Sequence, residues 1–184
     1  MTARFGAAGA CVVASLACGG GSSVSEPILA ADKLVAVTVD DLLDVSVIDR
    51  TKETWNKSTA YDGAKELEYT YEGDAFYVTT TANHEIDVDS AGYVYTGANI
   101  GLDLVGRAYG EDVKFVDDAT VLSWGDERSC RQLQAQGLSM GTMCVARKGK
   151  LVYTFMVAGQ AFTEPGSLDV FLADELTAFE AWAP

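Results

Sequence analysis

Glu66-Leu67-Glu68-Tyr69-Thr70-Tyr71-Glu72 alternates with a period of two. Leu67, Tyr69 and Tyr71 fall on one face of an extended chain, and Glu66, Glu68, Thr70 and Glu72 on the other, which is the pattern of a half-buried β-strand. Gly73-Asp74 follows as a two-residue turn. Ala75 to Ala82 is then rich in aromatic and β-branched residues, so the whole stretch predicts a β-hairpin. Upstream, Leu34 to Val39 is apolar. Thr38, with Asp40 and Asp41 behind it, can cap a short helix over about 39–45. Downstream, Asp89 or Ser90 opens a helix that runs to about Val105 and ends at Gly106, with Ala91, Val94, Tyr95, Ala98 and Leu102 on its apolar face. Strand-like runs follow near 113–116, 119–124, 128–135, 141–148 and 150–158, with a tight turn at Lys148-Gly149. Ser167 caps a last helix whose Leu168, Phe171, Leu172, Leu176, Phe179 and Trp182 recur at spacings of three and four. This order predicts an α+β fold over 34–184, an antiparallel β-sheet covered by a mid-chain helix and a C-terminal helix.

The chain has 184 residues and a formal net charge of −14. That length is one domain's worth, enough to bury a core. The negative charge argues against nucleic acid as a partner, because backbone binding needs Lys and Arg to displace counterions. It also opposes adsorption to an anionic membrane through a basic patch. Past the N-terminus no apolar run is long enough to span a bilayer.

The N-terminus carries the sharpest signal. Arg4 precedes an uncharged stretch from Phe5 to Ala17, about the length of a signal-peptide core. It ends in Ser15-Leu16-Ala17-Cys18-Gly19, which resembles the lipobox of bacterial lipoproteins, with Ser15 where that family usually has Leu or Val. The resemblance implies cleavage by signal peptidase II after Ala17, a signal peptide over 1–17, and lipid on the Cys18 thiol. Residues 18–33 then read as a lipidated Cys and a flexible Gly/Ser tether, holding the domain on a membrane through its N-terminal lipid. Gly19 in place of Asp resembles outer-membrane sorting in enteric bacteria, which implies a bacterial cell-envelope location with the domain facing the periplasm or the cell surface. Of the four cysteines, Cys11 leaves with the signal peptide and Cys18 takes lipid. Cys130 and Cys144 remain as an even pair in an exported chain, which predicts a disulfide. Its ring is worth about 3 kcal/mol in the chain-entropy picture, and a hairpin turn centred on Gly137 would bring the two together.

In element order, with Ala146-Arg147-Lys148-Gly149-Lys150-Leu151-Val152-Tyr153 inside the meander, residues 34–184 resemble small PsbP-like α/β sandwiches of exported proteins.

Catalytic motifs are offered and mostly declined. Gly137-Leu138-Ser139-Met140-Gly141 matches G-x-S-x-G, but no His follows it and it falls between two strands, where a nucleophile elbow needs a strand-to-helix turn. His84, beside Glu85, has the pKa of a general base but no nucleophile within motif distance. Asp87, Asp89 and Gly92 open like a Ca²⁺ loop, yet Ala98 stands where the twelfth-position Glu is required. The acidic pairs Asp40-Asp41, Glu111-Asp112, Asp117-Asp118 and Asp126-Glu127 read as solvated surface, since neighbours in a strand point to opposite faces. No catalytic residue, metal site or cofactor is expected. The expected function is a non-enzymatic binding or structural module for a protein or an envelope component. The alternative is a carrier or sensor for a small apolar ligand in a pocket between sheet and helix, lined by Trp55, Tyr69, Tyr71 and Tyr77; a hydrolase ranks behind both.

Overall fold

A computed structural model describes residues 23–42, 48–74, 76–108 and 113–182. The signal segment, Cys11, Cys18, part of the helix expected at 39–45, and the pair Glu111-Asp112 lie outside them. Eight strands form one sheet: β1 (Ser23–Ser25), β2 (Glu53–Ala60), β3 (Lys65–Glu72), β4 (Tyr77–His84), β5 (Val113–Asp117), β6 (Glu127–Ala135), β7 (Leu138–Lys148) and β8 (Leu151–Ala158). Their order is β1-β2-β3-β4-β8-β7-β6-β5, with every neighbouring pair antiparallel. The helices are α1 (Ala30–Lys33), α2 (Val88–Ala108), α3 (Ser167–Phe171) and α4 (Ala173–Ala181). The class is α+β.

The hairpin read from Glu66–Glu72 is β3 and β4. Its loop is four residues rather than two, because Glu72 pairs with Tyr77. Gly73 N–H donates to the Phe76 carbonyl at 2.8 Å, and a Cβ on Gly73 would come within 2.7 Å of the Tyr71 ring. The hairpin expected around Gly137 turns on Gln136 and Gly137, both at positive φ, a conformation glycine adopts without cost. The turn after β7 shifts by one residue from the expected Lys148-Gly149, to Gly149-Lys150.

Three expectations are corrected. The strand near 119–124 is an irregular loop. Val121 and Leu122 are buried, but the loop's polar groups are satisfied by α3 and the residues around it: Leu168 N–H donates to the Val121 carbonyl, and Asp169 accepts from Ser123 N–H at 2.8 Å and from Trp124 N–H at 3.2 Å. Apolar spacing here reflects packing under a helix, not pairing in a sheet. Next, the C-terminal helix is two helices meeting at Leu172. Ser167 is its first residue rather than its cap, following Gly166 at positive φ. Lastly, residues 23–33, expected to belong to a flexible tether, are part of the fold. Ser23 to Ser25 pair with Ser58 to Ala60 of β2, and Asp32 of α1 is buried.

Each face of the sheet is covered differently. On one, Val35 to Leu42 run as a strap across β3, β4 and β8, ending in a short 3-10 turn at Val39–Asp41 where Thr38 and Asp41 cap each other. Tyr153 hydroxyl donates to the Val35 carbonyl at 3.0 Å, Thr80 hydroxyl to the Val37 carbonyl at 3.1 Å, and Val39 N–H to the Tyr69 hydroxyl at 3.1 Å. Alternate strap residues thus find partners in side chains of three different strands, which meets the requirement that buried backbone be hydrogen-bonded. The strap, α3, α4, Leu67, Tyr69, Tyr71 and Phe155 form the larger core. The other face carries α2, whose start is fixed by Asp87 accepting from Ser90 N–H at 2.7 Å. Gly106, expected to end that helix, lies within it. Ala91 and Leu102 of α2 pack on Met143, Val145, Val152 and Met156.

Candidate functional site

Most residues that the sequence proposes for a site are used by the fold. Tyr69 and Tyr71 are in the larger core, and Trp55 stacks on Tyr69 with ring centroids 4.6 Å apart. Lys33 sits 5.7 Å from the Trp55 centroid. Burial, offset in part by the Val39 N–H, pushes the Tyr69 phenol up to about 12. Tyr77 belongs to the opposite face: it pairs with Glu72 and packs against the α2 cluster. The structure therefore brings Trp55, Tyr69 and Tyr71 together under the strap and leaves Tyr77 on the far side of the sheet.

His84 ends β4, opposite Lys65 and Leu151. Burial, and then the charges of Lys150 and Lys65, hold its imidazole below the ordinary value. Its neighbour Glu85 is shifted up by burial and by the charges of Asp62, Glu66 and Asp87. The charges acting on His84 are cations, the reverse of what a carboxylate-oriented base needs. Ser139 lies within β7, where Gln134 reaches its hydroxyl at 3.5 Å. The described acidic pairs are engaged locally: Asp40 with Arg50 at 2.6 Å, Asp117 with Arg131 at 3.3 Å, Glu127 with Arg147 at 2.8 Å, and Asp126 with Gly149 N–H at 2.8 Å. Among the described residues no group of three or more His, Cys, Asp or Glu side chains could hold a metal ion, and no helix is long and apolar enough to cross a membrane.

Cys130 and Cys144 stand directly opposite each other on β6 and β7, joined by a disulfide and buried in the larger core.

Sequence reasoning missed two features. One is a buried ion pair at the β1 edge. Asp32, 2% exposed, lies 3.0 Å from Lys57 Nζ, itself 8% exposed. Asp32 also accepts from Leu29 N–H at 2.7 Å and from Trp182 Nε1 at 2.9 Å. Glu26 lies 3.5 Å from the same ammonium. Burial alone would raise the Asp32 pKa, but these donors and the Lys57 charge outweigh it and hold the carboxyl below its ordinary value. This network ties the segment leading in from the N-terminus to β2 and to the end of the chain.

The other is the polar half of the sheet. Helix α2 packs over β7, β8 and β5. The same face carries Asn56 on β2 and Glu68 and Thr70 on β3, exposed or half-buried, and Thr79, Thr81 and Asn83 on β4, all buried. Thr70 and Thr79 hydroxyls bond each other at 3.1 Å, and Asn56 donates to Glu68 at 3.2 Å. At the border with α2, Thr81 and Thr154 are cross-strand partners, and Asn83 follows two residues along. All three are less than one-tenth exposed. The β3 alternation supplied half the signal for this face; the position of α2 was the missing half.

Comparison with protein-family models, curated proteins and solved structures finds no match.

Proposed function

We propose that the protein is an exported lipoprotein of the bacterial cell envelope, acylated at Cys18, which acts by binding rather than by catalysis. The Cys130–Cys144 disulfide carries this reading. A disulfide buried in a core belongs to a chain that folds in an oxidising compartment. It also uses both cysteines outside the N-terminal segment. Export then makes residues 1–17 a signal peptide and Cys18, in Ser15-Leu16-Ala17-Cys18-Gly19, the acceptor of lipid. Gly19 favours the outer membrane.

The surface offered to a partner is the polar face of β2 and β3, where Asn56, Glu68 and Thr70 are exposed or half-buried beside the buried Thr79, Thr81 and Asn83 of β4. An uncharged or donor-rich envelope component fits a face whose charged members are Glu66, Glu68 and Glu72. The aromatic rings expected to line an apolar pocket are occupied by core packing, which favours surface binding over an enclosed cargo. In finer terms the fold is read as a PsbP-like sandwich, a proposal that rests on element order.

Metabolic labelling with an alkynyl palmitate in a bacterial host tests the anchor. The full-length chain is expected to take the label and Cys18→Ala to lose it. Equal labelling of the two, or none in either, overturns the reading.

A further inference from the structure

The N-terminal segment enters the fold at the β1 edge of the sheet, where four of the eleven exposed large apolar side chains among the described residues lie. Val24, Leu29, Leu34 and Tyr61 are 67%, 57%, 66% and 95% exposed. Register places Val24 and Tyr61, and the contacts of neighbouring groups place Leu29 and Leu34. Ser23 pairs with Ala60, the residue before Tyr61, and Val24 pairs with Thr59. Leu29 N–H bonds the same Asp32 carboxylate that pairs with Lys57, and Lys33, next to Leu34, reaches Trp55 on β2. The strip thus follows β2 from its corner at Tyr61 back to Trp55.

Charge is balanced there too. Residues 23–34 and 57–65 hold three acids (Glu26, Asp32, Asp62) and three bases (Lys33, Lys57, Lys65), against 27 acids and 13 bases in the whole chain. Nearly all the negative charge that would repel an anionic membrane lies elsewhere.

From these observations we infer that the β1 edge is seated on the lipid surface itself, with Val24, Leu29, Leu34 and Tyr61 in the headgroup region. This inference rests on the lipid anchor proposed above. Only residues 19–22 separate Cys18 from Ser23, so five Cα steps, about 18 Å at full extension, are the most that can lie between the acylated residue and the first strand. A link that short keeps the edge beside the bilayer. Exposed apolar side chains on such an edge gain by entering the interface, as the apolar face of an interfacial helix does. The fused edge fixes the orientation of the domain, with the β1 edge down and β5, at the opposite edge of the sheet, away from the membrane.

The test uses the lipidated full-length protein in vesicles of phosphatidylethanolamine and phosphatidylglycerol carrying a headgroup quencher. A fluorophore is attached at Asp62→Cys, beside the strip, or at Leu138→Cys, at the β6–β7 corner on the other half of the sheet. Quenching at position 62 is expected to exceed that at 138 by fivefold or more. Adding Leu34→Asp and Tyr61→Asp should at least halve it, the tether alone holding the edge near but not in the headgroups, while leaving the thermal midpoint unchanged, since both side chains are exposed. Vesicle-bound protein with equal quenching at the two positions, or with quenching at 62 that survives the double substitution, overturns the seating and leaves the anchor intact. Protein that carries no lipid and stays off the vesicles overturns the anchor and the seating with it.

Discussion

Asp32 and Glu175 are both carboxylates drawn in against the strap side of the sheet, one on α1 and one on α4, and their surroundings push them in opposite directions. Asp32 is met by Lys57, by Trp182 Nε1 and by Leu29 N–H, and its pKa is lowered in spite of burial. Glu175 is raised by burial and by the charges of Asp41 and Asp174, and its Oε2 is buried without a hydrogen-bond partner among the described residues. Burial is common to both, so burial does not decide the sign. The number of donors aimed at the carboxylate does. The N-terminal end of this face is a fully answered polar network, and the α4 end is one where the fold tolerates a deficit.

Removing the answered carboxylate is the strongest way to break the contrast. Asp32→Ala leaves the Lys57 ammonium in its buried position with only Glu26 at 3.5 Å, and takes the acceptor from Trp182. Breaking a buried pair from one side costs about 3–5 kcal/mol, which urea denaturation at pH 7 would register as a large drop in midpoint. The pH dependence follows from the lowered pKa. The contribution of Asp32 is fully present above its ordinary value of 3.8 and is lost as pH falls through the lower, folded value. The loss caused by Asp32→Ala should therefore shrink in strong acid. A loss below 1 kcal/mol at pH 7 would mean that Lys57 relaxes into solvent.

Tyr153 lies between the two regions. Its hydroxyl donates to the Val35 carbonyl, and the charge of Glu175 is second only to burial in raising its pKa. Tyr153→Phe keeps the ring against Phe179, 5.5 Å away, and removes only the donor. The buried Val35 carbonyl is then left unpaired, at a cost of about 1–3 kcal/mol. Faster amide exchange along residues 35–39 than elsewhere in the core would locate that cost in the strap. Uniform exchange across the sheet would assign it to general loosening.

The parts of this architecture that the sequence made legible are those with local signals. Alternation at Glu66–Glu72 marks β3 because one face is buried and the other wet, and Gly137 marks the turn that sets Cys130 opposite Cys144. The strap was not legible. Val35 to Val39 has the composition of a strand or helix start, and its partners are hydroxyls 30 residues away at Tyr69 and 118 residues away at Tyr153. The tether was over-extended for the same reason. A Gly/Ser-rich lead looks unstructured until Lys57, 25 residues on, is seen to hold Asp32. The separation of Tyr77 from Tyr69 and Tyr71 was latent in the hairpin, because Tyr77 pairs with Glu72, on the polar side of the alternation. The extent of the polar half-sheet was not, because it depends on where α2 lies.

The unanswered carboxylate should give the smallest effect and one of opposite sign. Glu175→Gln removes a charge that burial and two neighbouring acids disfavour, while keeping the side chain's volume. Because the folded pKa is raised, the ionised group opposes folding at neutral pH. That penalty falls away as pH drops through the folded value, and it is gone below the ordinary value of 4.5. The variant should therefore be more stable than the parent at pH 7, by less than about 1 kcal/mol, since one unsatisfied amide replaces one unsatisfied carboxylate oxygen. Below pH 4.5 the two thermal midpoints should converge. Asp32→Ala and Glu175→Gln would then shift stability in opposite directions at pH 7, each fading in acid. If Glu175→Gln is instead destabilising by 1 kcal/mol or more at pH 7, Glu175 has a favourable ionic partner, and the contrast between the two carboxylates fails.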